Sequence, residues 1–125
     1  MGAFKSFVGD VRRFLRFEPR TEVGVRMEGY AQMAVTLRDV GRGGFAIVAP
    51  MPFSPGERYR FTFDLPSGKS VMLSAMAVHR YPLKGEQEIR LYVTGWRFLL
   101  ENTAEDIDRL MNEVAVPAST ENAPT

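Results

Sequence analysis

Apolar and polar residues alternate in short runs along most of this chain, and that twofold period limits the folds it can adopt. In the clearest run, Tyr59, Phe61, Phe63 and Leu65 alternate with polar residues, and a Pro66-Ser67-Gly68 turn ends the run. Successive side chains of a β-strand point to opposite faces of its sheet, so this run predicts a strand with one buried face. The chain is therefore expected to fold from strands joined by tight turns.

Similar runs on both sides predict further strands. The predicted strands span residues 23–27, 33–37, 45–49, 59–65, 71–77 and 89–98. Between the second and third of these, the stretch from Asp39 to Gly44 is expected to be a glycine-rich turn. The segment from Pro50 to Gly56 contains three prolines and is expected to be a loop. About six strands with short connections are typical of an antiparallel barrel or sandwich.

Residues 1–15 are predicted to contain a short amphipathic helix. Phe4, Phe7, Val11 and Phe14 recur at helical spacing, and charged residues occupy much of the remaining surface. Such an apolar stripe is expected to be covered. We expect residues 3–15 to dock on the domain's own core or on a protein partner. The alternative is that the stripe binds a membrane surface.

A second helix is predicted after the last strand. Thr103 and Asp106 have the spacing of a capping box at a helix N-terminus. The expected buried stripe consists of Ile107, Leu110, Met111 and Val114. Pro117 ends the helix, and the tail at 116–125 is predicted to be disordered. The expected organisation is an N-terminal helix within 1–15, one domain at 16–115 and this tail.

Composition excludes several classes of protein. The chain of 125 residues has no cysteine and a single histidine, His79. Disulfides, thiolate metal sites and cysteine catalysis are excluded, and a histidine-rich metal site is not expected. No apolar run approaches the roughly 20 residues that span a bilayer, and charges interrupt the region where a signal peptide would lie. A cytoplasmic protein without a transmembrane segment or a metal site is expected.

Charge is distributed unevenly along the sequence. Residues 1–20 carry five basic and two acidic side chains, and residues 101–125 carry one basic and six acidic side chains, while the whole chain has a net charge of only +1. A basic segment beside a nearly neutral body indicates a local anion site. A broad nucleic-acid surface would need a larger excess of positive charge, so nucleic acid is not the expected partner.

Motifs of the common enzyme classes are missing. The sequence has no GxSxG elbow, no GxxxxGK[ST] phosphate loop and no GxGxxG that opens a helix. Asp39 and Asp64 are the one acid–base pair to consider, but an acid at a strand end more often caps a turn. His79 is expected on the solvent face of a strand. No catalytic residue is predicted, and the protein is not expected to be an enzyme.

Two arginine-containing motifs flank the first predicted strand. Arg16-Phe-Glu-Pro-Arg20 has the form RxxxR, and Arg12-Arg13-Phe-Leu-Arg16 overlaps it. Asp39-Val-Gly-Arg-Gly-Gly44 follows, and Gly95-Trp-Arg-Phe98 precedes the closing helix. In their order and spacing, over about residues 12–115, these features resemble the PilZ domain family, the bacterial receptor modules for cyclic di-GMP. That family carries RxxxR followed by [D/N]xSxxG at the start of a strand.

The resemblance implies an all-β fold, a six-stranded antiparallel PilZ-type barrel with a C-terminal α-helix. It implies cyclic di-GMP as the ligand, without a cofactor. The implied ligand-binding residues are Arg16, Arg20, Asp39, Gly41, Arg42, Gly43 and Gly44, with Arg12, Arg13 and Arg80 as additional candidates. The chain would be a stand-alone receptor in which ligand binding orders the N-terminal segment onto the barrel and changes its protein contacts. Motility, exopolysaccharide production and chemotaxis are the processes that the family is known to regulate.

The chemistry of these residue types suits a cyclic dinucleotide. Guanidinium groups bind phosphate oxygens or guanine O6 and N7 bidentately, and they stack on bases. The carboxylate of Asp39 can accept hydrogen bonds from guanine N1–H and N2–H. Glycine at positions 43 and 44 would let the backbone approach a flat base closely.

One position departs from the family pattern, since Gly41 replaces the motif's serine. A lost hydrogen bond of this kind costs about 0.5–1.5 kcal/mol, or up to about tenfold in affinity. The main alternative is therefore a degenerate PilZ-like adaptor that acts through protein contacts without binding cyclic di-GMP. A further alternative is a small barrel that binds single-stranded nucleic acid on exposed aromatics. In residues 58–63, however, aromatic residues alternate with Arg58 and Arg60. The alternation puts the aromatics on one face of the strand and the arginines on the other, as in a strand that borders the core.

Overall fold

The fold is a single curled antiparallel sheet with one helix packed against it. A computed structural model describes residues 16–17, 23–85 and 89–114. The elements are β1 (Arg16–Phe17), β2 (Gly24–Met27), β3 (Thr36–Gly41), β4 (Gly44–Ala49), β5 (Arg58–Asp64), β6 (Ser70–Pro82), β7 (Tyr92–Phe98) and α1 (Ala104–Val114). The strands lie in the order β1-β3-β4-β7-β6-β5-β2, and every neighbouring pair is antiparallel. Strand β1 has only two residues, and the other six strands are longer. These six strands and the helix that follows them confirm the predicted all-β barrel class.

Strand β5 shows most directly how the sequence pattern builds the barrel. Phe61 and Phe63 are fully buried, whereas Arg58 and Arg60 on the opposite face are exposed. The predicted segregation of aromatics from arginines is confirmed. Strand β5 therefore presents a core face and a charged face, and it lacks the exposed aromatic platform that single-stranded nucleic acid would require.

Aromatic side chains from the central strands form the centre of the core. The ring centroid of Phe45 in β4 lies 4.9 Å from that of Phe61 and 5.2 Å from that of Phe63, both edge to face. Trp96 in β7 lies 4.7 Å from Phe61 in a similar geometry. Edge-to-face pairs add about 0.5–1.5 kcal/mol each beyond the burial of apolar area. These contacts fix β4, β5 and β7 relative to one another.

Helix α1 forms as the sequence predicts. The Thr103 hydroxyl accepts a hydrogen bond from the Asp106 amide at 3.1 Å, which caps the first turn. The buried side chains of the helix are Leu110, Met111 and Val114, with Ile107 partly buried beside them. On its outer side, Glu113 accepts hydrogen bonds from the Ser67 amide at 3.0 Å and the Ser67 hydroxyl at 2.8 Å. The helix is thus tied to the β5–β6 turn.

Asn102 connects α1 to the sheet in a way that the sequence pattern did not indicate. Its side-chain oxygen accepts a hydrogen bond from the Ser74 amide at 2.8 Å, and its side-chain nitrogen donates to the carbonyls of Ser74 at 2.7 Å and Leu99 at 3.0 Å. The amide group pairs with β6 as a backbone peptide would. It thereby satisfies backbone groups at the point where β7 ends.

Several strand bounds differ from the predicted ones. Strand β3 starts at residue 36 rather than 33 and continues to Gly41, so four of the six residues of the predicted glycine turn, 39–41 and 44, belong to β3 and β4. Strand β6 continues to Pro82, and β7 starts at Tyr92 rather than residue 89. These differences arise from pairing with neighbouring strands, which a single run of residues does not reveal.

The predicted N-terminal helix within 1–15 and the predicted tail at 116–125 lie outside the described residues. Within the described ranges, no helix has the length and apolar character needed to cross a membrane.

Candidate functional site

The β3–β4 hairpin, which contains the aspartate–glycine motif, has a shorter turn than its glycines suggest. Strand β3 includes Asp39 and Gly41, strand β4 begins at Gly44, and only Arg42 and Gly43 form the turn. In the described part of the chain, positive φ angles occur at Gly29, Gly56, Gly68 and Gly85. The motif's three glycines are not among them, so they are not required for a left-handed backbone.

Gly44 is glycine because two strands approach each other closely there. A Cβ at this position would collide with the carbonyl oxygen of Trp96 and lie 3.1 Å from the Cα of Arg97, both in β7. Backbone atoms cannot move aside as a flexible side chain can. This packing accounts for Gly44 without a ligand, and its expected role in the approach of a base stays a prediction.

A bulge in β3 sets the direction of Asp39. Leu37 pairs with Ile47, but Asp39 pairs with Ala46, so Arg38 is an extra residue between the two pairs. Without it, Leu37 and Asp39 would share a face, because residues two apart on a strand point the same way. Leu37 is buried in the core, whereas Asp39 is partly exposed. The bulge therefore directs the carboxylate to the outer face of the barrel.

Four strands contribute one residue each to a row that runs across this outer face. The row consists of Asp39 in β3, Ala46 in β4, Gly95 in β7 and His79 in β6, which lie opposite one another in register. Directly opposed residues share a face. The neighbours of Ala46 along β4, Phe45 and Ile47, are fully buried in the core, so the row lies on the other side. We call it the outer row; its centre carries no side chain larger than a methyl group.

His79, at the far end of the outer row, is also directed by a bulge. Ala77 pairs with Trp96, but His79 pairs with Gly95, so the extra residue is Val78. His79 is exposed, which confirms its predicted position on the solvent face. Its imidazole lies directly on Gly95, since a Cβ there would be 2.7 Å from His79 Cε1 and Nε2. The sequence contained no signal for the bulge that brings this ring into line with Asp39.

A hydrogen bond crosses the outer face alongside the outer row. Arg38 Nη1 in β3 donates to the hydroxyl of Tyr81 in β6 at 3.3 Å. Strands β4 and β7 lie between these two strands in the sheet, so the two side chains span them. Tyr81 follows His79 by two residues, and the two rings are nearly parallel, with 17° between their planes and 6.4 Å between their centroids. On the other side of the row, Arg97 lies opposite Gly44 and is partly exposed.

The first arginine motif meets the aspartate–glycine motif through the backbone. Arg16 in β1 pairs with Gly41, and Phe17 pairs with Val40. Gly41 lies two residues after Asp39 in β3 and faces the same side of the sheet. The chain positions of Arg16 and Asp39, 23 residues apart in sequence, are therefore neighbours at one edge of the outer row.

Two other candidate residues point elsewhere. The Arg42 guanidinium at the turn forms an ion pair with Asp108 of α1. Arg80 alternates with His79, so it belongs to the opposite face, and its Nη1 donates to the carbonyl of Phe53 at 3.3 Å. Neither guanidinium lies on the outer row. The remaining candidates, Arg12, Arg13 and Arg20, lie outside the described residues.

No acid–base pair is assembled from Asp39 and Asp64. Asp64 is in β5, which is not a neighbour of β3 in the sheet. It accepts hydrogen bonds from Arg26 Nη2 at 2.8 Å and from Ser70 Oγ at 2.9 Å. The bonds from Arg26 and Ser70 hold the pKa of Asp64 below its usual value. Across residues 23–85 and 89–114, no group of three or more histidine or carboxylate side chains is arranged to hold a metal ion.

Comparison with known proteins places the chain in a family. The sequence model of the PilZ domain matches residues 10–115. The chain belongs to the PilZ domain family. Among solved structures, its fold is similar to that of the PilZ domain with c-di-GMP of YcgR from Escherichia coli, with a TM-score of 0.63, 15% sequence identity and coverage of 80% of this chain and 86% of that one. No curated protein matches the sequence.

The Gly44 packing of this PilZ domain leads to a stability prediction. Gly44→Ala forces a methyl group into the β7 backbone, so we expect it to lower the free energy of unfolding by about 1–3 kcal/mol, as overpacking typically does. Gly95→Ala is the matched control, because the atoms that its methyl would meet belong to the exposed His79 ring, which can rotate away. Urea unfolding of both variants measures the difference. An equal loss of unfolding free energy in the two variants would show that the backbones of β4 and β7 are not as close as described.

Proposed function

We propose that this PilZ domain is a non-catalytic, cytoplasmic receptor for cyclic di-GMP. The pairing of Arg16 with Gly41 supports the proposal, because it brings the first residue of the RxxxR motif next to the aspartate–glycine motif at one edge of the outer row. The fold of the YcgR PilZ domain, whose structure contains c-di-GMP, supports the same ligand. No arrangement of acids in the described residues favours a catalytic alternative.

The proposed ligand contacts follow from the chemistry of each group. Arg16 and Arg20 bind phosphate oxygens or a guanine edge through charge-assisted hydrogen bonds. Asp39, directed outward by its bulge, accepts hydrogen bonds from guanine N1–H and N2–H. Ala46, which pairs with Asp39 in the row, carries only a methyl group, so it does not block a base that bonds to the carboxylate. Arg12 and Arg13 supply further positive charge for the phosphates.

Arg20 gives the most direct test of this site. We expect wild-type protein to bind cyclic di-GMP in a calorimetric titration, and Arg20→Ala to lose about 1.5–3 kcal/mol of binding free energy, as for a hydrogen bond to a charged group. Arg60→Ala is the control, since Arg60 is an exposed arginine on β5, paired with Glu28 at 3.3 Å. Unfolding should be unchanged in both variants. Absence of binding by the wild type would favour the adaptor alternative, and equal loss of folding and binding in Arg20→Ala would indicate a structural arginine.

Gly41 weakens the proposed site without removing it. Position 41 faces the same side as Asp39, so a serine there would place its hydroxyl beside the outer row. Its backbone does not adopt a positive φ, and a serine is therefore compatible with the strand conformation. The missing group costs about 0.5–1.5 kcal/mol.

Restoring the family residue should therefore tighten binding. We expect Gly41→Ser to bind cyclic di-GMP up to about tenfold more tightly than wild type. The measurement is a titration of both proteins, with thermal unfolding as the control for the fold. Weaker binding together with a less stable fold would mean that the backbone at Gly41 cannot accommodate a side chain and that the motif is used differently here.

The proposed output runs through the N-terminal segment. The PilZ match begins at residue 10, so residues 1–9 lie outside the family's domain. Because β1 is joined to β3 beside the site, a ligand that binds Arg16 and Arg20 would order the connected segment onto the barrel. The ordered segment, with its phenylalanines within 3–15, would then change its contacts with a protein partner.

Removal of residues 1–10 separates ligand binding from output. We expect the truncated protein to fold and to bind cyclic di-GMP with the wild-type dissociation constant, because the arginine motif and all strands remain. We expect it to lose the protein partner in a pull-down from the native host. Retained partner binding would show that the N-terminal stripe packs on the domain's own core, and equal recruitment of both proteins to lipid vesicles would argue against the membrane alternative.

A further inference from the structure

Strand β6 carries two exposed aromatic side chains on the same face as the outer row. His79 ends the row, and Tyr81, 46% exposed, follows it on that face. Their rings are nearly parallel and adjacent. Exposed aromatic rings of this kind offer faces on which nucleobases stack. Neither residue belongs to the arginine or aspartate–glycine motifs.

Two bulges in the described strands lie at the two ends of the outer row. The extra residue Arg38 directs Asp39 outward in β3, and the extra residue Val78 directs His79 outward in β6. Each bulge disrupts the local strand pairing, and bulges commonly re-aim a side chain next to a functional site. A role of His79 in the same site as Asp39 accounts for both bulges at once.

The residues of the row between these two ends are small. Ala46 and Gly95 occupy the two central strands, and the glycine lets the His79 ring lie directly on the β7 backbone. From Asp39 to His79 the row crosses three strand spacings, or about 14 Å. Asp39 can bond only to a base at its own end of the row, which leaves the other end for the second base of a cyclic dinucleotide.

Tyr81 is held in place for such a role. Its hydroxyl accepts a hydrogen bond from Arg38 Nη1 at 3.3 Å, which orients the ring from across the sheet. The same bulge residue that directs Asp39 outward thus also positions Tyr81. A ring that such a bond already restrains loses less conformational entropy when a base stacks on it.

We propose that His79 and Tyr81 form a stacking wall for a purine base of the ligand, at the end of the outer row opposite Asp39. The inference rests on the proposed function and adds two specificity-determining residues to it. The stacking wall binds the flat face of one base. Asp39 and the arginines bind the polar edge of the other base and the phosphates. This arrangement favours a ligand with two linked bases over a mononucleotide.

Calorimetric titration with cyclic di-GMP tests the wall. We expect His79→Ala and Tyr81→Ala to weaken binding about 5- to 150-fold, the range for loss of one base–aromatic stack. His79→Phe, which keeps a flat ring, should bind within a few-fold of wild type, and His79→Leu, which keeps bulk without an aromatic face, should behave as His79→Ala. Met72→Ala is the control, since Met72 is 53% exposed on β6 away from the row. Thermal unfolding should be unchanged in all five variants.

A second measurement needs no substitution. Ring-proton resonances of His79 in the wild-type protein should shift upfield when cyclic di-GMP is added, because a stacked base places them in its ring current. Wild-type dissociation constants for both alanine variants, or an unshifted His79 ring at saturating ligand, would overturn the stacking wall and leave the receptor proposal intact. A wild-type protein that does not bind cyclic di-GMP would overturn both.

Discussion

The twofold period of the β-strand is the constraint on which this structure depends. Residues two apart on a strand share a face, and one face of this barrel is filled by its core. Leu37 and Asp39 form such a pair, as do Ala77 and His79, and in each pair an apolar residue is followed by a polar one. A carboxylate in the core without a partner would cost several kcal/mol. The bulges in β3 and β6 resolve both conflicts, and they direct Asp39 and His79 to one surface.

Two closely packed strands support the outer row from beneath. Phe45 and Trp96 hold β4 and β7 together from the core side, and Gly44 lets the two backbones pack closely. The centre of the outer row lies on these same two strands. Functional groups on packed strands are placed more accurately than groups on loops. Gly44 of the hairpin therefore belongs to the support of the site, and only two residues form the turn.

The sequence was sufficient for the fold class and for the C-terminal helix, because both depend on the local period of apolar residues. Alternation in β5 and the stripe through Leu110 and Val114 each identify a buried face directly. The bulges were not predictable from the same signal, since they exist only relative to the register of a partner strand. For that reason the solvent-facing position of His79 was predicted, but its alignment with Asp39 in one row was not. The sequence position of Arg42, in the middle of the motif, also did not indicate its ion pair with Asp108. That partner lies on a helix, 66 residues later in the chain.

The Arg42–Asp108 ion pair bears on how the proposed receptor would bind its ligand without the motif's serine. Both side chains are about half exposed, at 49% and 50%, and exposed pairs of this kind are worth about 0.2–1 kcal/mol. A hydrogen bond between an arginine and a phosphate is worth about 1.5–3 kcal/mol. Exchange of Asp108 for a ligand phosphate would therefore be favourable overall, by an amount comparable to the cost of replacing the motif's serine with Gly41. In the proposed receptor, the departure at Gly41 would therefore lower the affinity without preventing binding, which would depend mainly on Arg16 and Arg20.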